Sequence, residues 1–137
     1  MLELLAALLV ANPAAPRAEL ASPDECAVIV AVGRARMGWG DKPPASGFHP
    51  DAPLPGGGVY REACPWRQLG VADPVLATAA TPQGFAISRP VFDAARTHAT
   101  VDLETTAKPR FAEVQTCKLE KTAGRWRVVS CDVTLIT

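Results

Sequence analysis

Between residues 97 and 105 the chain alternates. Ala99, Val101 and Leu103 are apolar, while His98, Thr100, Asp102 and Glu104 are polar. This period of two is that of a strand with one face buried. Three more runs lie around it, FAISRPVF at 85–92, RFAEVQTCKLE at 110–120 and RWRVVSCDVTLI at 125–136, separated by short polar breaks. Together they predict an antiparallel meander over residues 84–137. In the last run Val129, Cys131, Val133 and Leu135 share one face, and Ser130, Asp132 and Thr134 the other. Trp126 and Val128 fall on that second face, near the turn. Gly124, between the last two runs, suits a tight hairpin because glycine takes a positive φ at no steric cost.

Upstream, Ser22-Pro23-Asp24-Glu25 carries a helix start. Ser22 suits the N-cap, Pro23 the first helical position, and Glu25 completes a capping box. Asp24 and Glu25 also favour the positive end of the helix dipole. The following CAVIVAVGRARM is apolar on all sides, and its β-branched residues would equally suit a buried strand. The cap decides for a helix ending near Met37, where Gly38-Trp39-Gly40 breaks it and Arg34 and Arg36 lie in the last turn. Residues 41–58 are predicted as loop, since five prolines and the triplet at 56–58 leave little room for regular structure. That triplet is a flexible connector, because no Gly-Lys-Ser/Thr follows it. Residues 60–69 suit a short helix or turn carrying Cys64 and Trp66, residues 71–80 are weakly helical, and residues 81–84 form a turn. The fold class is therefore α+β, a capped N-terminal helix packed on a C-terminal three- to four-stranded antiparallel meander.

The first 18 residues read as a secretory signal, with an apolar stretch at 4–11 followed by small residues. The stretch is too short to span a bilayer. Glu3 stands where a basic residue is usual, and a genuine short first helix is the alternative. Residues 19–137 then make one α+β domain, periplasmic or secreted, with no integral membrane segment after signal removal. Fourteen basic and fourteen acidic residues balance, so no overall field points to nucleic acid.

Four cysteines behind an export signal predict two disulfides. Cys117 and Cys131 each stand seven residues from Gly124. A loop symmetric about Gly124 would oppose them directly, and a glycine bulge would make them diagonal neighbours. Either way both lie on one face, and Cys26–Cys64 is left as the second bridge. There is no CxxC and no zinc spacing, and no metal or other cofactor is expected.

Candidate chemistry is sparse. His98, Asp102 and Glu104 share a strand face, but Asp102 lies about 13 Å from His98 along a strand, beyond hydrogen-bond reach. A solvated face accounts for all three. His49 sits beside Asp51 in the proline-rich loop. Trp39 and Trp66 either cover the sheet or wall a pocket, which makes them pocket candidates with His49 and His98. No Gly-x-Ser-x-Gly and no His-Glu-x-x-His occurs, and Ser88-Arg89-Pro90 is no familiar nucleophile context. The C-terminal hairpin is locally basic, with Lys108, Arg110, Lys118, Lys121, Arg125 and Arg127 against Glu113 and Glu120. An anionic partner would suit it, but a charged edge that discourages aggregation is the preferred account.

The residues Phe85-x-Ile87-Ser88-Arg89-x-Val91-Phe92-Asp93, Ala99-x-Val101, Leu119-x-Lys121-x-x-Gly124-Arg125-Trp126-x-Val128-Val129 and Ile136 form a series. It resembles a loose group of small exported bacterial proteins of unknown function. Glu25-Cys26-Ala27-Val28 is similar to their first helix. The resemblance spans roughly 60 residues and departs in the proline-rich middle and in the cysteines. It implies an exported α+β domain and no particular activity or catalytic residue. Two readings follow. The preferred one is a non-catalytic module that binds a protein or small molecule, and the alternative is a small hydrolase or isomerase using His98 or His49.

Overall fold

The computed structural model describes residues 22–50, 64–107 and 111–137. The first 18 residues, expected as a signal, the glycine triplet at 56–58, Asp51, Lys108 and Arg110 lie outside the described residues. Helix α1 spans Pro23–Met37. Both halves of its capping box are formed: Glu25 N–H donates to Ser22 Oγ at 3.2 Å, and Ser22 N–H to Glu25 Oε1 at 3.0 Å. These bonds satisfy donors that the first turn would otherwise leave unpaired. Gly38 ends the helix in the left-handed region, at φ 66°, a conformation that costs a residue with a Cβ about 1 kcal/mol or more. Cys26, Val28, Ile29, Val30, Val32 and Gly33 are buried against the sheet and the middle segment.

Six strands follow: β1 Gly47–Phe48, β2 Gln83–Ile87, β3 Val91–Phe92, β4 His98–Ala107, β5 Phe111–Thr122 and β6 Arg125–Ile136. They form one mixed sheet in the order β1-β2-β4-β5-β6, with β3 also on β4. The fold is α+β as expected, but the sheet is larger than a three- to four-stranded meander. One addition comes from the predicted loop, and the other from a break that splits the run at 85–92 into two strands.

The first addition is β1, inside the stretch predicted as loop. It runs parallel to β2, pairing Phe48 with Phe85, and on its other side it bonds residues 75 and 77. Phe48 N–H donates to Val75 O at 2.8 Å, and Ala77 N–H to Phe48 O at 2.9 Å. Two residues are too few to show a period, and burial holds them instead. Phe48 is fully buried, stacked on Phe85 at 4.9 Å and edge-on to Trp66 at 6.3 Å. Residues 71–80, expected as weakly helical, are extended with turns at their ends. Their backbone groups go to neighbouring segments instead, Ala72 N–H to Gly40 O at 2.8 Å as well as the two bonds to Phe48.

The second addition is β3, which continues β2 along the same edge of β4 after one extra residue. Ile87 pairs with Leu103, whereas Val91 pairs with Thr100. Ser88 sits in this irregularity. Its N–H donates to Asp102 O at 2.9 Å, and its Oγ accepts Asp102 N–H at 2.8 Å. The buried hydroxyl replaces a missing ladder bond, so Ser88-Arg89-Pro90 has a structural role.

The last hairpin corrects the facing assigned to β6. Ala123 and Gly124 both have positive φ, 53° and 78°, and Thr122 pairs with Arg125. This is a two-residue turn matched to strand twist, not a loop centred on Gly124. An unbroken ladder from it would set Ser130 against Cys117. Instead Lys118 pairs with Ser130 and Leu119 with Val128, leaving Val129 as an extra residue, and Cys117 meets Cys131 directly. The bulge also moves Trp126 and Val128 onto the face of Cys131, where all three pack on the core, while Val129 is exposed. Both disulfides are present, Cys117–Cys131 with Cα atoms 4.0 Å apart and Cys26–Cys64 at 5.5 Å. The core lies between α1 and the sheet face carrying Phe85, Ile87, Ala99, Val101, Leu103, Cys117 and Leu119.

Candidate functional site

The helix turns a stripe of small and apolar residues, Ala27, Val30 and Ala31, toward a groove, with Asp24 at its start and Arg34 at its end. The spacing of three and four places them on one face. Ten residues of helix rise about 15 Å, which sets the groove's length. One wall is the β5–β6 hairpin tip, Gly124, Arg125 and Trp126. The other is Leu69, in the turn following Cys64. The groove is open to solvent along one side and holds about 520 Å³, within the range of roughly 300–1,000 Å³ common for small-molecule sites.

Each wall is tied to the helix by chemistry that can be named. The Cys26–Cys64 bridge fastens the start of the turn segment to the first helical turn. Arg34 donates from Nη2 to Gly70 O at 3.0 Å, closing the far end. At the near end Asp24 gathers the hairpin. Its Oδ1 accepts the Trp126 indole N–H at 3.0 Å and the Lys121 ammonium at 3.2 Å, and Arg96 lies 3.6 Å from Oδ2. The indole bond first, then Lys121 and Arg96, hold the Asp24 carboxyl below the usual carboxylate range against the opposing effect of burial. Lys121 and Phe92 also pack on the Trp126 ring, at 5.9 and 5.5 Å. The hairpin tip is thus a braced wall.

Next to this cluster, Glu25 pairs with Arg89 at 3.1 Å. Burial raises its carboxyl, but the Ser22 N–H and Arg89 outweigh that and hold it low. The charges of Asp24 and Glu25 are therefore both spoken for. Arg125 differs, because among the described residues its side chain forms no hydrogen bond or ion pair and the residue is exposed.

The residues expected to mark a site fall elsewhere. His98 is bracketed by two carboxylates, with Nδ1 3.0 Å from Asp93 and Nε2 3.5 Å from Glu120, and its side chain is 60% exposed. Asp93 caps the β3–β4 turn, accepting the backbone N–H groups of Thr97 and His98 at 2.9 and 3.1 Å. The His98 N–H and then the Thr97 N–H keep its carboxyl below the ordinary range. His49 lies with its ring over Gly84, where a Cβ would overlap Nε2. Burial pushes the nearby Glu104 carboxyl up, against the pull of His49. Neither histidine lines the groove. Trp39 and Trp66 pack on each other at 4.7 Å inside the core, and Trp39 Nε1–H donates to Ala72 O at 2.7 Å.

Sequence reasoning missed Asp93 as the partner of His98, because the two meet only through a turn in which Arg96 takes φ 57°. In the chain alone Asp24 reads as a helix-dipole residue, Arg125 as part of a charged hairpin edge, and Trp126 as a strand residue near the turn. The basic character of that hairpin was the signal available. Among the described residues, no group of three or more His, Cys, Asp or Glu could hold a metal ion, and no helix is long and apolar enough to cross a membrane. No family model, curated protein or solved structure matches this chain.

Proposed function

We propose that this protein is an exported, disulfide-stabilised binding module that takes a small-molecule ligand in the groove between α1, the hairpin tip and the Leu69 turn. The observation that carries this is the groove itself, about 520 Å³ with an apolar floor and two arginines, held by a disulfide and an ion cluster that do not depend on a ligand. Two disulfides suit an oxidising compartment, and the apolar N-terminal segment supports export. So does the resemblance of the C-terminal half to small exported proteins. Intact-mass analysis of periplasmic protein is expected to give a shortened N-terminus, and a full-length chain confined to the cytoplasm sinks the export reading.

The binding test is a ligand-observed NMR screen of small-molecule mixtures, run on the wild type and on Ala27→Trp, which fills the groove. Ligands that bind the wild type and lose contact with the variant support the reading. Ligands indifferent to Ala27→Trp place binding elsewhere and refute it. The His98–Asp93 contact favours a second reading, a histidine-dependent hydrolase. It is weaker, because the other imidazole nitrogen faces Glu120 and the ring stands in solvent. Turnover of an activated ester that vanishes in His98→Ala would favour it over the binding reading.

A further inference from the structure

Resting on that reading of the groove, we infer that its ligand is a small amphipathic carboxylate, an acyl-type anion whose apolar body lies along α1 and whose head is held by Arg125. Three features lead to this. First, the floor is apolar over its length: Ala27, Val30, Ala31 and Leu69 bring no polar side-chain atom, and Trp126 has already given its indole N–H to Asp24. The groove therefore sees the ring of Trp126 rather than its donor. Second, the acid in the lining is neutralised. Asp24 is contacted by Lys121, Arg96 and the Trp126 N–H, so it neither repels an anion strongly nor has its charge open to a cationic ligand.

Third, the unspent charge at the groove is positive. Arg34 uses one N–H on Gly70 O, while Arg125 has its whole donor fork uncommitted among the described residues. A guanidinium presents two parallel N–H groups that match a carboxylate. Arg125 is the first residue of β6 after the two-residue turn, and its neighbour Trp126 is fixed to the helix, so its backbone is held in place before a ligand arrives. A cationic amphiphile would meet the two arginines with no free carboxylate to offset them. A nonpolar ligand would leave the donors of Arg125, a lining residue, unused. An extended ten-carbon acid matches the roughly 15 Å run of helix from Asp24 to Arg34.

The experiment is a ¹⁵N-HSQC titration of the oxidised protein with decanoate, decanol and decyltrimethylammonium, each below its micelle concentration. Decanoate is expected to shift the amides of Ala27, Ala31, Leu69 and Gly124 and the Trp126 indole, and to bind at least several-fold more tightly than the other two. Arg125→Gln should weaken decanoate by roughly three- to tenfold, the range for a partly exposed charged contact, and leave decanol unchanged. Lys118→Gln, outside the groove, should leave decanoate unchanged. Equal shifts at the groove from all three amphiphiles would overturn the anion inference and leave the binding reading standing. Decanoate binding that Arg125→Gln does not weaken would overturn the role of Arg125 and with it this inference. Absence of groove shifts with any of the three would overturn both.

Discussion

Replacing Gly33 by alanine should destabilise this protein, although helix propensity argues the reverse. Alanine is favoured over glycine inside a helix by about 0.8–1.0 kcal/mol, and Gly33 lies well within α1. A Cβ there would overlap Cε3 of Trp39, with Cζ3 at 3.2 Å and Cδ2 at 3.4 Å. Trp39 has no room to yield. It is 2% exposed, its ring packs 4.7 Å from Trp66, and its N–H bonds Ala72 O at 2.7 Å. Overpacking a core typically costs about 1–3 kcal/mol, and breaking the part-buried bond to Ala72 O costs about 0.5–1.5 kcal/mol more. Set against the propensity gain, the net loss should be about 2 kcal/mol. Urea unfolding followed by far-UV circular dichroism would read it as a lower midpoint at unchanged slope. In a Trp39→Phe background, with a smaller ring and no indole bond, the same change should cost under about 1 kcal/mol. A raised midpoint in the wild type, or equal costs in both backgrounds, would refute the reasoning.

Four other outcomes are expected. The folded Asp24 carboxyl sits low, so its contribution is present above the unfolded value of about 4 and is lost as pH falls through the folded one. Asp24→Asn should therefore cost about 1 kcal/mol at pH 7 and flatten the loss of melting temperature on acidification; parallel acid profiles for variant and wild type would contradict this. Glu104 has the opposite sign, since burial raises its carboxyl and ionisation opposes folding as pH rises through that window. Glu104→Gln should match the wild type near about pH 4 and gain relative to it toward about pH 8, and a relative loss in a thermal scan would show the assignment to be wrong. Deleting Val129 removes the extra residue of the bulge, so peptide mapping should still find Cys117 joined to Cys131; a displaced or missing bridge would mean the turn does not set the register. Reduction of the bridges, with sequence separations of 38 and 14, should cost roughly 4 kcal/mol for Cys26–Cys64 and roughly 3 for Cys117–Cys131 in the chain-entropy account. Removing them singly and measuring melting temperatures tests that order, and four free thiols in denaturant without reductant would dismiss both bridges.

The limits of α1 and the position of the last hairpin were legible in the chain because their causes are local. A capping box is a pair of hydrogen bonds across three residues, and a glycine past a helix end answers a steric demand at one position. The alternation of Ala99, Val101 and Leu103 likewise needs only a strand with one buried face. The cysteine pairing was legible too, though by a different path than symmetry about Gly124. The bulge at Val129 offsets the odd register of the two-residue turn.

What the tertiary structure alone decided depends on which segments abut. Phe48 becomes a strand residue because Phe85 and residues 75–77 meet it on either side, not through any pattern of its own. Trp126 and Val128 face the core because one bulge reverses their side, and period-two counting cannot register an inserted residue. His98 finds Asp93 through a turn with a left-handed residue, rather than Asp102 along its strand. The groove joins positions 24–34, 69 and 124–126, residues separated by as much as a hundred places in the chain. Local propensity carries no information about that distance; it is set by the docking of the hairpin tip on the helix start, through Asp24, Lys121 and Trp126.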